Sequence, residues 1–122
     1  MGRFILTDGV IPLVAERFKC LSEPARLALL RSLQYGEQTV NQLVSGTGLG
    51  QANVSKHLQV LHTHGFVKRR KNGLFVHYVL ADRQIIKLCE LMSIRVNEHR
   101  TAYEPGPGGA LIGAADDFDE AG

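Results

Sequence analysis

Apolar residues recur along this chain at two periods, and the change from one to the other divides it. Val10, Val14, Phe18 and Leu21 repeat at helical spacing, with Pro12 where the first turn of a helix tolerates it. They predict a first helix over 10–21, preceded by a loose arm over 1–9. Ser22 reads as the N-cap of a second helix, with Pro24 in its first turn and Gly36 ending it after Tyr35. Its stripe is Leu27, Leu30 and Leu33, with Arg26 and Arg31 directed elsewhere. Thr39 and Gln42 form a Thr-x-x-Gln capping box, which puts Val40, Leu43 and Val44 on a short helix that stops at Gly46. After the turn Thr47-Gly48-Leu49-Gly50, with Leu49 as an apolar plug, a fourth helix runs from Gln51 to His64 and is closed by Gly65.

That fourth helix has two unlike faces. Val54, Leu58 and Leu61 share one, while Ala52, Lys56, Gln59 and Thr63 share the other, flanked by Asn53 and Ser55. The outward face carries no acid, so it can enter a DNA groove without electrostatic penalty. Amides can pair with an adenine edge, hydroxyls can reach phosphates or bases, and Ala52 can sit against a thymine methyl. An ordinary amphipathic surface helix would satisfy the same pattern, so the helix alone does not decide between the two.

After Gly65 the period shortens to two. Residues 66–71, FVKRRK, and 75–80, FVHYVL, are β-rich runs joined by Asn72-Gly73, both of which tolerate positive φ. Four consecutive cations, Lys68 to Lys71, reach that turn. Helix, tight turn, helix and then a basic hairpin is the outline of a winged helix-turn-helix, with the fourth helix as reader and the hairpin suited to phosphates or a narrow minor groove. Asp82 then caps a last helix to about Tyr103, apolar on more than one side through Ile85, Ile86, Leu88, Cys89, Leu91, Met92, Ile94 and Val96. So wide an apolar surface exceeds what one small core can hide, which predicts a dimer. The acidic stretch 104–122, rich in Gly and Pro, is aperiodic and is expected to be disordered. The expected class is therefore mainly α with a β-hairpin wing, one winged helix-turn-helix domain over 10–103.

Charge sharpens this picture. The net charge of +2 hides an asymmetry, because all 14 Lys and Arg precede Glu104 whereas five of the 12 acids lie from Glu104 onward. A body so basic attracts polyanions. Cys20 and Cys89 lie inside helical patterns rather than in a disulfide framework, and no secretory segment precedes them, which points to a reducing cytoplasm. Gly2 fits a lipidation signal but Leu6 stands where Ser or Thr is required. No apolar run approaches the ~18 residues of a membrane span.

The run FKCLSEPARLALLRSL, then TVNQLVSGTGLGQANVSKHLQVLHTHGFVKRRKNGLFVHYVL, resembles the ArsR/SmtB family of small bacterial winged-helix repressors over Val14 to Glu98. The resemblance implies a homodimer through the first and last helices. Two reader helices would dock in successive major grooves of an imperfect palindrome in double-stranded DNA, with two wings reaching outward. Carried over by position, the DNA contacts are Gln51, Ala52, Asn53, Ser55, Lys56 and Gln59 on the helix, and Arg69, Arg70, Lys71 and Asn72 on the wing. His57, at the edge of the buried face, is expected to pack or to touch phosphate.

The family's metal boxes are another matter. Where a Cys-x-Cys box would stand the chain reads Val40-Asn41-Gln42-Leu43-Val44. On the last helix Asp82 and Glu98 are present, but Gln84 and Arg95 replace the imidazoles, so neither metal site nor any cofactor is expected. A subset of the family senses oxidants, sulfide or persulfide through a cysteine pair, in a register closer to Arg31 and Arg95. Cys20 and Cys89 are thus either small apolar core residues or a redox or soft-metal switch, while arsenite bound by three thiolates would need a third cysteine. The function expected is a repressor that occludes its operator and is released through the dimer interface. The alternative is an architectural nucleic-acid-binding protein without sensing, which oxidants, sulfide and metals would leave unaffected. No phosphate loop, nucleophile elbow or paired carboxylates suggest an enzyme.

Overall fold

Two prolines and one capping box set the helical frame. Pro12 and Pro24 stand in the first turns of α1 (Ile11–Leu21) and α2 (Pro24–Leu33), where a missing N–H costs nothing. Thr39 and Gln42 cap α3 (Val40–Thr47) reciprocally: the Gln42 N–H donates to Thr39 Oγ1 at 3.2 Å, and the Thr39 N–H to Gln42 Oε1 at 2.8 Å. In the computed structural model, which describes residues 6–102, these are succeeded by α4 (Gln51–Thr63), β2 (Val67–Asn72), β3 (Phe75–Leu80) and α5 (Gln84–Ala102). A two-residue strand, β1 (Gln38–Thr39), precedes α3. Residues 1–5 of the expected arm, Tyr103 and the acidic stretch 104–122 lie outside the described residues.

Several sequence expectations need correction. Ser22 does not cap α2; it closes α1, its hydroxyl donating to Lys19 O at 2.7 Å, and Glu23 takes the N-cap position of α2. The buried stripe of α2 is Leu29, Leu30 and Leu33, and Leu27 is exposed. The difference is one of phase: 26, 29, 30 and 33 form the i, i+3, i+4, i+7 set, whereas 27, 30 and 33 drift around the helix. Arg26 therefore faces inward, not away. Likewise α3 runs past Gly46 to Thr47 and ends at Gly48, whose φ of 77° lets its N–H return to Val44 O at 2.9 Å.

The sheet also holds more than a hairpin. β3 lies between β1 and β2, antiparallel to both, with Gln38 opposite Tyr78 and Thr39 opposite His77. Val67 pairs with Leu80 and Asn72 with Phe75, so the loop is Gly73-Leu74 rather than Asn72-Gly73. Gly73 at φ +65°, with no positive φ at Leu74, is the pattern of a type II′ turn. This register sets two buried side chains, Val67 and Leu80, against each other and leaves Leu74 in the exposed loop.

The chain divides between Arg83 and Gln84 into two compact units. In the first, Leu29, Leu30, Leu33, Leu43, Val54, Leu58, Leu61, Phe66 and Val67 form the core, and α2, α3 and β2 all pack on α4. Each such leucine buried contributes about 1.5–3 kcal/mol relative to exposure, which is what fixes α4 in place. The second unit contains α5, in which no described side chain is buried; Leu88, Leu91, Met92, Ile94 and Val96 are all exposed.

Candidate nucleic-acid interface

α4 is fixed at its C-terminus and at its middle by contacts that begin outside it. At its C-terminus Gly65 adopts φ +79°, and the Gly65 and Phe66 N–H groups return to His62 O at 3.0 Å and Leu61 O at 2.9 Å, a complete Schellman closure. Arg17 of α1 adds to it: its Nη1 donates to His64 O at 2.9 Å and its guanidinium stacks 4.2 Å from the centre of the Phe66 ring. Midway along α4, Arg26 of α2 donates from Nε to His57 Nδ1 at 3.1 Å, and from Nη1 it donates to Cys20 O at 3.0 Å. His57 stands in the buried set 54, 57, 58, 61, just as Arg26 stands in that of α2. Each helix thus contributes one polar group to an otherwise apolar stripe, and the two satisfy each other.

The chemistry of this contact settles the state of His57. A guanidinium only donates, so Nδ1 accepts and the imidazole is neutral with its proton on Nε2. Burial, then the Arg26 and Lys56 cations, push its pKa below the usual histidine value, with Glu23 opposing. Buried in this way it packs rather than reaching a phosphate. Burial likewise raises the pKa of both thiols, Cys20 against the opposing pull of Arg26, and of Cys89. Among the described residues no group of three or more His, Cys, Asp or Glu could hold a metal ion.

Held in this way, α4 turns Gln51, Ala52, Asn53, Ser55, Lys56 and Gln59 to the outside; all six are exposed. Gln59 Nε2 donates to Thr63 Oγ1 at 3.3 Å along the same face. Gly50 caps the helix without a side chain and no acid occupies the first turn, so the N-terminal N–H groups meet no competing carboxylate of their own helix.

The hairpin splits its cations between two faces. Strand alternation and register put Arg69 and Lys71 on the side of Val67, Tyr78 and Leu80, and Lys68, Arg70 and Asn72 on the side of His77 and Val79. All five are exposed. Arg70 is ion-paired with Glu37, the residue before β1. The sequence reading missed Arg17, Arg26 and Glu37. For Arg26 the signal was available, since an i, i+3, i+4, i+7 set with a cation in it demands a buried acceptor; for Glu37, separated by 33 residues from its partner, it was not.

A helix-turn-helix whose second helix shows an exposed, acid-free face, continued by a basic hairpin, defines a winged helix-turn-helix DNA-binding regulator. Residues 23–69 match the family described as "Bacterial regulatory protein, arsR family". The chain belongs to that family, and is a DNA-binding transcriptional regulator of it. It is 31% identical over 99 residues to a probable mercury resistance operon repressor of Streptomyces lividans, covering 77% of this chain and 79% of that protein. It is 37% identical over 79 residues to a biofilm growth-associated repressor of Xylella fastidiosa, covering 65% and 69%. Against an HTH-type regulator of Mycobacterium tuberculosis it spans only 38% of the relative's length, at 31% identity over 70% of this chain. Among solved structures, a homodimeric winged helix-turn-helix DNA-binding domain from Mycobacterium bovis matches with a TM-score of 0.68 at 28% identity, over 81% of this chain and 92% of that one. Among the described residues no helix is long and apolar enough to cross a membrane.

Proposed function

We propose that the protein is a homodimeric repressor that occludes an imperfect palindromic operator, one α4 in each of two successive major grooves and one wing outside each. The observation that carries this is the division of α4, with Val54, Leu58 and Leu61 wholly inside and six short, amide or cationic side chains outside. Gln51, Ala52, Asn53, Ser55 and Gln59 read base edges, and Lys56 neutralises phosphate. Arg69, Arg70, Lys71 and Asn72 bind the backbone or a narrow minor groove. α1, through Ile11, Leu13 and Phe18, and α5, through Leu91, Met92 and Ile94, supply the dimer interface; all six are exposed in the single chain.

Release from DNA comes from a change in the placement of the two α4 helices across that interface. Cys20 and Cys89 are the groups through which an oxidant, sulfide together with an oxidant, or a soft metal would act. Both thiol pKa values are raised, which keeps the thiolate fraction low; Cys20 is buried and would react only after a fluctuation brings it to solvent, whereas Cys89 is partly exposed already.

The test separates positioning from reading. Arg69→Ala with Arg70→Ala weakens binding to every duplex and flattens the salt dependence by up to about 1.8 in slope per wing, hence up to about 3.6 for the dimer, near 0.9 for each phosphate no longer neutralised. Gln51→Ala or Asn53→Ala costs about 1–3 kcal/mol at the operator and relaxes sequence choice. Footprinting and binding titrations at several salt concentrations report both, and identical behaviour of the two sets would overturn the assignment.

A further inference from the structure

One acid from outside the hairpin meets the wing's cations, and it does so across the sheet rather than along a strand. Thr39, His77 and Arg70 form one cross-strand row over β1, β3 and β2. From the residue before β1, Glu37 reaches over the central strand, and its carboxylate accepts from Arg70 Nη2. In the same row the His77 Nδ1 atom is closed off from solvent and has no hydrogen-bond partner. Lys68, Arg69 and Lys71 have no acid partner among the described residues, so Arg70 is the wing cation that must leave a carboxylate before it can take a phosphate.

That exchange is not neutral to sequence. A guanidinium already paired with a carboxylate adds little positive potential to the wing, and random encounters with a duplex gain little from it. Where the minor groove narrows, the negative potential is enhanced and outcompetes a single half-exposed carboxylate. The pair is open enough to exchange, since the Arg70 and Glu37 side chains are 60% and 36% exposed. We propose that Glu37 is a specificity-determining residue of the wing: it holds Arg70 back from ordinary duplex and yields it only to DNA of strong local potential. This rests on the reading of the wing as a DNA contact.

The test is a double-mutant cycle on the full chain, using wild type, Glu37→Gln, Arg70→Ala and the double variant. Each is titrated at low salt with a duplex selected by the wild type from a random pool, and with a scrambled duplex. Glu37→Gln is expected to tighten binding to the scrambled duplex about two- to fivefold per wing, the size of an exposed ion pair. It should tighten binding to the selected duplex less, so that the specificity ratio falls. Arg70→Ala should weaken binding and erase the effect of Glu37→Gln. If Glu37→Gln tightens binding equally with and without Arg70, the effect is a distant charge and the proposal fails. If Arg70→Ala weakens binding while Glu37→Gln changes nothing, the pair is structural only and the proposal fails alone. If Arg70→Ala has no effect on either duplex, the reading of Arg70 as a DNA contact fails, and Glu37 with it. Melting curves check the fold, and Glu37→Ala must move affinity in the same direction as Glu37→Gln.

Discussion

α4 and α5 are both helices rich in apolar residues, yet the chain treats them oppositely. Of the 13 residues of α4, Val54, His57, Leu58 and Leu61 are buried on one side, and the other side is polar. Of the 19 residues of α5 no described side chain is buried, and Leu91, Met92 and Ile94 are 64%, 59% and 51% exposed. A sharp i, i+3, i+4, i+7 stripe can be satisfied by the chain that carries it and leaves the far side free for a ligand. An apolar surface that wraps around a helix cannot be satisfied in this way and calls for a second molecule. The difference teaches where each helix finds its packing in the single chain: α4 inside the protomer, α5 nowhere among the described residues, so that on the proposed interface its stability would rise with protein concentration.

The largest expected effect tests the first half of that contrast. Leu58→Ala empties a wholly buried site under the reader helix and should cost about 2–5 kcal/mol, a sizeable share of the ~5–15 kcal/mol that holds such a domain together. Chemical denaturation reads it, and the loss relative to wild type should be as large at low protein concentration as at high. The second half is tested by Leu91→Asp, which puts a charge on the exposed apolar face of α5. Sedimentation should show a shift toward monomer, and operator affinity should fall about 10²-fold because the second half-site no longer binds from the same complex. A Leu91→Asp protein that remains dimeric, with unaltered DNA binding, would break the comparison.

Legibility in the sequence divides in the same way, between local and distant causes. The capping box of Thr39 and Gln42 and the Gly65 closure were legible because donor, acceptor and backbone conformation all lie within a few residues. The winged helix-turn-helix order and the buried set Val54, Leu58 and Leu61 were legible because period alone specifies them. Ser22 misled because serine can satisfy either end of a helix, and here both its N–H and its hydroxyl turn back to Lys19 O. Asn72-Gly73 misled because two candidate turns overlap, and the choice between them rests on pairing Val67 with Leu80, a packing preference with no local signal. β1, two residues long, has no period to read and exists only because β3 pairs with it. The ties from Arg17 to His64 and Phe66 and from Arg70 to Glu37 span too much chain for spacing to reveal.

The smallest expected effect concerns the polar group α4 keeps on its buried side. His57 has its pKa lowered by burial first and then by the Arg26 and Lys56 cations, with Glu23 pulling the other way. In the unfolded chain it titrates near 6.5, so below that pH the unfolded state takes up a proton that the folded state resists. The stability His57 contributes is therefore present in full above about pH 6.5 and is lost as pH falls from there toward the lowered folded value. Protonation would also turn Nδ1 from acceptor to donor against the Arg26 Nε–H, removing the 3.1 Å hydrogen bond that joins α2 to α4. His57→Asn offers an amide oxygen to Arg26 and has nothing to titrate. Its melting temperature should therefore fall less than that of the wild type between pH 7.5 and 5.5, while any slope from the other histidines is common to both proteins. Parallel curves would show that the Arg26 contact does not depend on the charge of His57.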